Sequence, residues 1–264
     1  MVNSYAIIGA TGKTGNALFT HLQKNPQNRV NTYVRSKPKL LSQFPNVDKN
    51  SSVQIFPGAI NDIPLIASCI RDVDVIFSVL GENENTPGLR IAQDSAQAIV
   101  AALCHLGCTK GSTNKVPKII MLSSATVNPR MTADQPAFLT KLLHTALSNA
   151  YADIERAEEY LRLHESWVKV TFIQPGGLAE DERQKGHKLS LDRKGAPPFV
   201  TYVDLAAGMI EVAEAGEFDW MGVSVVSASH DVKFGWKAPK QIARGLVWHY
   251  APSFAWMAKF VGLF

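Results

Sequence analysis

Apolar and polar positions follow one another along this chain in two periods, and the alternation of those periods predicts its elements. Tyr5 to Ile8 is a short apolar run that stops at Gly9, and Ala17, Leu18, His21 and Leu22 then recur at helical spacing. Val30, Thr32 and Val34 alternate with polar neighbours, and Val53 to Phe56 forms another short strand. Val73 to Leu80 is a longer apolar run of the kind buried on both faces of a parallel sheet. Ile91 to Leu103 has helical periodicity, and the run from Lys118 to Ser124 reads as a fifth strand opening into a polar loop. A long helix then includes Ala150 to His164, rich in good helix formers. Val168 to Ile173 is a sixth strand, ended by Gln174-Pro175-Gly176-Gly177 because proline and glycine stop a ladder. Beyond it come a charged loop from Glu180 to Lys188, a helix from Val203 to Glu214 and a last strand from Val223 to Val226.

Strands alternating with helices imply right-handed crossovers and an α/β fold built on a doubly wound parallel sheet. With 264 residues and no convincing linker or repeat, the chain is expected to be one domain over 1–264. A variable loop spans about residues 178–200 and an apolar tail residues 236–264.

Composition narrows the partners. The chain is 46% hydrophobic and 19% charged, with a net charge of +4 and scattered cations, which argues against a nucleic-acid partner. Cys69, Cys104 and Cys108 are an odd set without a second ligand pair, so no metal site is expected. The N-terminus runs straight into a strand pattern, and no apolar run reaches the roughly 18 residues of a membrane span. A cytoplasmic protein acting on a small molecule is the simplest expectation. The tail holds Trp236, Trp248, Tyr250, Phe254, Trp256, Met257, Phe260, Val261, Leu263 and Phe264, and something must cover it. Packing over a substrate pocket or a homodimer contact is favoured over a membrane surface, because cations are few there.

The turn Gly9-Ala10-Thr11-Gly12-Lys13-Thr14-Gly15 joins the first strand to the first helix. A dinucleotide pyrophosphate needs a tight turn, close backbone approach and a helix N-terminus, which glycines in this context supply. A purely structural turn is the plain alternative. At the end of the second strand, Tyr33-Val34-Arg35-Ser36-Lys37 offers cations where an NAD-binding site would place a carboxylate, so NADP(H) is the expected cofactor. The plain reading of Arg35 and Lys37 is two solvated surface charges. Ser78-Val79-Leu80-Gly81 would pass the adenine ribose and pyrophosphate, and Asn61 or Asp62 would approach the adenine amine.

With these features the sequence resembles the atypical short-chain dehydrogenase/reductases that have an NmrA-like or biliverdin-reductase-B-like Rossmann domain. The likeness rests on Ile7-Ile8-Gly9-Ala10-Thr11-Gly12-Lys13-Thr14-Gly15, Val34-Arg35-Ser36 and Ile119-Ile120-Met121-Leu122-Ser123-Ser124. It continues through Arg156-Ala157-Glu158-Glu159-Tyr160-Leu161 and Phe172-Ile173-Gln174-Pro175-Gly176-Gly177, and covers roughly residues 4 to 215. Within that group the chain looks most like the fungal averufin-oxidase-like oxidoreductases associated with polyketide pathways. The resemblance implies NADPH binding, with substrate over the nicotinamide between the fifth and sixth strand ends and the variable loop. Ser123, Pro175 and Gly176 then join the expected cofactor contacts.

Typical members pair a tyrosine with a lysine four residues on, which lowers the phenol pKa. Here Tyr151-Ala152-Asp153-Ile154-Glu155 puts a carboxylate at that position, so the usual relay is expected to be absent. The catalytic candidates are Ser123, Ser124 and Tyr151; a strand-end turn and a packing tyrosine are the alternatives. His144 and Tyr151, seven apart, would share a helix face, and His187 would reach substrate from its loop. Lys141, Arg156 and Arg162 read as solvated helix charges, and Asp204 as a helix cap. The leading expectation is an NADPH-dependent oxidoreductase of secondary metabolism acting on a small, aromatic or polyketide-type molecule. A non-catalytic NADP(H) sensor of the NmrA type and a cofactor-binding isomerase are the alternatives.

Overall fold

The computed structural model describes residues 3–82, 84–232 and 238–262. In chain order the elements are β1 (Ser4–Ile8), α1 (Lys13–Leu22), β2 (Arg29–Val34), α2 (Lys37–Gln43), β3 (Val53–Pro57), α3 (Ile63–Ile70) and β4 (Val75–Ser78). Next come α4 (Ile91–His105), β5 (Lys118–Leu122), α5 (Ala137–Ala146), α6 (Ser148–Arg162), β6 (Lys169–Ile173) and the short strands β7 (Gly177–Ala179), β8 (His187–Ser190) and β9 (Phe199–Thr201). The chain closes with α7 (Tyr202–Ala215), β10 (Gly222–Ser227), α8 (Ala238–Tyr250) and α9 (Pro252–Phe260).

Eight strands form one sheet in the order β3-β2-β1-β4-β5-β6-β10-β8. All neighbours are parallel except β10 and β8, so the expected doubly wound parallel sheet is present with one antiparallel edge strand. The period of two in a strand decides which side each residue faces. Tyr5 and Ile7 of β1 join Val75 and Phe77 of β4 in the core beneath α1 and α7, whereas Ala6, Ile8 and Ile76 join the core beneath α3, α4 and α6. Both faces are covered, and this is why β1 and β4 are apolar throughout.

The charged stretch after β6 is more ordered than its composition implies. Within it β8 pairs with β10 and β7 with β9, and Asp204 anchors the segment. Its fully buried carboxylate accepts hydrogen bonds from the Lys185 N–H (3.0 Å), the Gly186 N–H (3.0 Å) and the Thr201 hydroxyl (2.8 Å). The expectation that Asp204 caps a helix is thus corrected: Thr201 is the N-cap of α7, and Asp204, inside the first turn, ties down the preceding loop.

The tail is helical and packs back onto α5. Trp248 is buried and meets Trp256 edge to face at 5.2 Å. The loop after β4 fastens this extension: Glu84 pairs with Arg244 (3.2 Å) and Lys259 (2.7 Å). Buried Asn85 donates to the Gly245 carbonyl (3.2 Å) and accepts from the Asn149 N–H (2.7 Å). Tyr250, Phe254, Trp256, Met257, Phe260 and Val261 remain exposed on this extension, while Trp236, Leu263 and Phe264 lie outside the described residues. Among the described residues no helix is long and apolar enough to cross a membrane.

Where α8 crosses the end of α5, a Cβ on Gly245 would stand 1.9 Å from the Ala146 carbonyl oxygen. Gly245→Ala must therefore push the helices apart, at an overpacking cost of about 1–3 kcal/mol. The expected result is a melting temperature lowered by several degrees and earlier proteolytic cleavage in residues 238–262. Unchanged melting and cleavage would contradict so close a crossing.

Candidate functional site

The glycine turn is shaped by backbone bonds. Gly9 has φ +107°, a left-handed value that suits glycine, and its N–H donates to the Tyr33 carbonyl at 3.1 Å. The Gly12 N–H folds back on the Gly9 carbonyl (3.0 Å), and the Gln43 side-chain amide holds the Thr11 carbonyl at 3.3 Å, tying α2 to the turn. A Cβ on Gly15 would lie 2.2 Å from the Gly9 oxygen, so this helix approaches β1 closer than any side chain allows.

Helix α1 starts behind Gly12 with no side-chain cap and no acidic residue in its first turn. Its leading amides and the positive end of its dipole therefore lack an internal anion, which fits a pyrophosphate. Thr14 is buried and Thr11 half-buried beside this opening. Leu80 packs against Gly9, the Val79 N–H donates to the Ile8 carbonyl (3.1 Å), and Gly81 borders open space. At the end of β2, Arg35 and Lys37 are exposed and, among the described residues, form no ion pair. Ser36 between them caps α2, accepting from the Lys39 N–H at 3.3 Å. Asp62 caps α3 through the Leu65 N–H (3.1 Å), which occupies one of its oxygens. Lys13 points elsewhere: its ammonium pairs with Glu180 and lies 5.7 Å from the Tyr202 ring, strapping the head of α1 to the segment after β7.

The three expected catalytic residues divide into two groups. Tyr151 is buried, with the Thr126 and Ser124 side chains beside its phenol. Burial raises its pKa, with those two neighbours opposing the rise, so the phenol keeps its proton beyond the ordinary tyrosine range. Ser124 also accepts from the Thr126 N–H at 3.3 Å. Ser123 meets α6 two turns further on and donates to Glu158 Oε1 at 2.6 Å. The same oxygen accepts from Gln174 Nε2 (3.2 Å), and burial raises the Glu158 pKa against these bonds. Pro175 supplies its carbonyl to the Ala125 N–H (2.9 Å), and Gly176 lies where a Cβ would come 2.5 Å from Arg193 Nη2.

Other expectations need correction. His144 and Tyr151 do not share one helix: α5 ends at Ala146, α6 begins at Ser148, and the chain bends at Leu147. The bend still brings the two rings to 5.8 Å. His187 does not reach into a site from a loop; it opens β8 and bonds Glu211 at 2.7 Å. Arg162 is more than a solvated charge, since its guanidinium lies 4.9 Å from the Phe172 ring. Lys141 is exposed, as a solvated helix charge should be, and with Thr132, Gln135, Thr140, His144 and Thr145 it borders an open cavity of about 610 Å³.

Two residues that hold the site went unnoticed in the sequence. Asp153 is buried and accepts from the Ala92 and Gln93 amides (2.9 and 3.0 Å), capping α4 from the neighbouring helix. Asn85 pins the start of α6, as described above. Both act across elements far apart in the chain, and local spacing carries no signal of that.

A parallel sheet whose first strand ends in an unblocked glycine turn before an uncapped helix defines a Rossmann-type dinucleotide-binding protein. Residues 9–215 match the family described as NAD(P)H-binding, and the chain belongs to that family. It is 39% identical to an oxidoreductase of Pestalotiopsis microspora, over 94% of this chain and 95% of the relative. It is likewise 39% identical to oxidoreductase AgnL4 of Paecilomyces divaricatus, over 98% of this chain and 97% of that one. Oxidoreductase aflX of Aspergillus parasiticus is 37% identical, over 98% and 95%. Among solved structures, a short-chain dehydrogenase/reductase of Veillonella parvula in complex with NADP superposes with a TM-score of 0.69 at 18% identity. That match covers 89% of this chain and all of the other, and at this identity it speaks to the fold alone.

Proposed function

We propose that this protein is an NADPH-dependent oxidoreductase that reduces a carbonyl or quinone group on a small, aromatic or polyketide-type molecule. The observation that carries the reading is the glycine turn, whose uncapped helix and missing side chains leave room and unpaired amides for a pyrophosphate. The oxidoreductases to which the chain is similar along nearly its whole length support it. The bound nicotinamide would supply the hydride. The protein's residues would do the rest: Gly12 and the head of α1 hold the pyrophosphate, and Arg35 with Lys37 faces the 2′-phosphate. Tyr151, kept protonated by burial and flanked by Ser124 and Thr126, offers its proton to the oxygen of the group being reduced. The cavity lined by His144, whose ring lies 5.8 Å from the Tyr151 ring, would receive the substrate. Glu155, standing where typical members have a lysine, favours one second reading, a nucleotide sensor that binds without turnover.

Titration with NADPH and NADH, followed by absorbance at 340 nm over a quinone and aldehyde panel, tests the reading. Preferred NADPH binding with oxidation is expected; binding without any turnover would leave the sensor, and absent binding would overturn both. Arg35→Glu is expected to weaken NADPH binding by about ten- to hundredfold, since an attractive contact becomes a repulsive one, and to leave NADH nearly unchanged. Equal losses for both nucleotides would remove Arg35 from the 2′-phosphate.

A further inference from the structure

We propose that the cavity along α5 is a subsite for an anionic oxygen, so that the molecule received there carries a carboxylate or an acidic phenol. This deepens the reading above and rests on taking that cavity as the substrate end of the site. The lining is polar in one sense only. Thr132, Gln135, Thr140, Lys141, His144 and Thr145 face the space, and no Asp or Glu is among its lining residues. Asp134, the nearest acid in sequence, is engaged by the Gly195 N–H at 3.3 Å.

Among the described residues the side chains of Gln135, Lys141 and His144 form no hydrogen bond or ion pair, whereas the Thr132 and Thr145 hydroxyls donate to the Pro129 and Lys141 carbonyls. The Lys141 ammonium is exposed and so open to an anion arriving from solvent. A lysine, an imidazole and a side-chain amide on one wall, without a competing carboxylate, are complementary to an oxyanion flanked by further oxygens. Because the His144 ring lies 5.8 Å from the Tyr151 ring, an anion held by Lys141 would direct the rest of a flat molecule toward the phenol.

The test uses 1-hydroxy-2-naphthoate and its neutral methyl ester as probes, titrated by naphthoate fluorescence into the full-length protein with and without NADP+. The acid is expected to bind roughly tenfold more tightly than the ester, the scale of a charge-assisted bond at a partly exposed site. Lys141→Met should reduce that preference to within about twofold while leaving NADP+ affinity unchanged. Lys141 is exposed, so its replacement does not threaten folding. Acid and ester binding alike, or a preference that survives Lys141→Met, would overturn the proposal. Failure of NADP+ itself to bind would sink the nucleotide reading, while the titration without nucleotide would still decide this one.

Discussion

Gly15→Ala is expected to weaken NADPH binding by about ten- to hundredfold and to lower the melting temperature by several degrees, although alanine is the smallest possible addition. The new methyl would stand 2.2 Å from the Gly9 oxygen and 2.8 Å from Ala10 Cα, and both obstacles are backbone. No rotamer change relieves that, so α1 must slide away from β1, at an overpacking cost of about 1–3 kcal/mol. Sliding moves the uncapped amides that face the pyrophosphate, and each 1.4 kcal/mol of lost binding is about tenfold in affinity. Gly81→Ala is the control, because a Cβ there meets nothing within 4 Å and stability should not change. Isothermal calorimetry with NADPH and a thermal melt on both variants provide the reading. Wild-type affinity in Gly15→Ala would mean that the turn is structural only.

The second large effect is expected at Tyr151. Tyr151→Phe should reduce the turnover number by about a hundredfold or more, the usual range for losing a positioned proton donor, with NADPH affinity unaltered. Its pH dependence has a definite sign. Burial raises the folded-state pKa, so the neutral phenol is favoured in the folded protein. The associated stability is therefore fully present below the unfolded pKa and is lost as pH rises through the higher folded value. Reduction by the wild type should accordingly persist into the alkaline range instead of falling near neutrality. Stopped-flow oxidation of NADPH across pH would check this. Full activity in Tyr151→Phe would assign the proton to another donor or to water.

Much of the frame was legible because it is written in local chemistry. The strand-turn-helix around Gly9 to Gly15, the two-faced strands β1 and β4 and the proline-glycine stop after β6 follow from period and punctuation alone. The short helices α2 and α3 did not emerge: each has a proline within its first two helical positions and is held by a side-chain cap, from Ser36 and Asp62 respectively. The order in residues 178–200 was hidden because it depends on Asp204, whose partners Lys185 and Gly186 are far upstream in the chain. Ser123 and Ser124 are adjacent and alike in sequence, yet they meet residues of α6 seven apart. One meets Glu158 and the other Tyr151. Only the register of α6 on the sheet separates them.

The fastening of the tail by Asn85 and Glu84 changes how deletion experiments should be interpreted. Asn85 belongs to the loop that leaves β4 and also holds the Asn149 amide at the head of α6, the helix that carries Tyr151. Removing α8 and α9 would strip Asn85 of its Gly245 partner and Glu84 of Arg244 and Lys259, loosening the corner from which the phenol is aimed. A shortened protein that is silent would thus be a misaligned one, and its silence would not assign any chemical step to the tail.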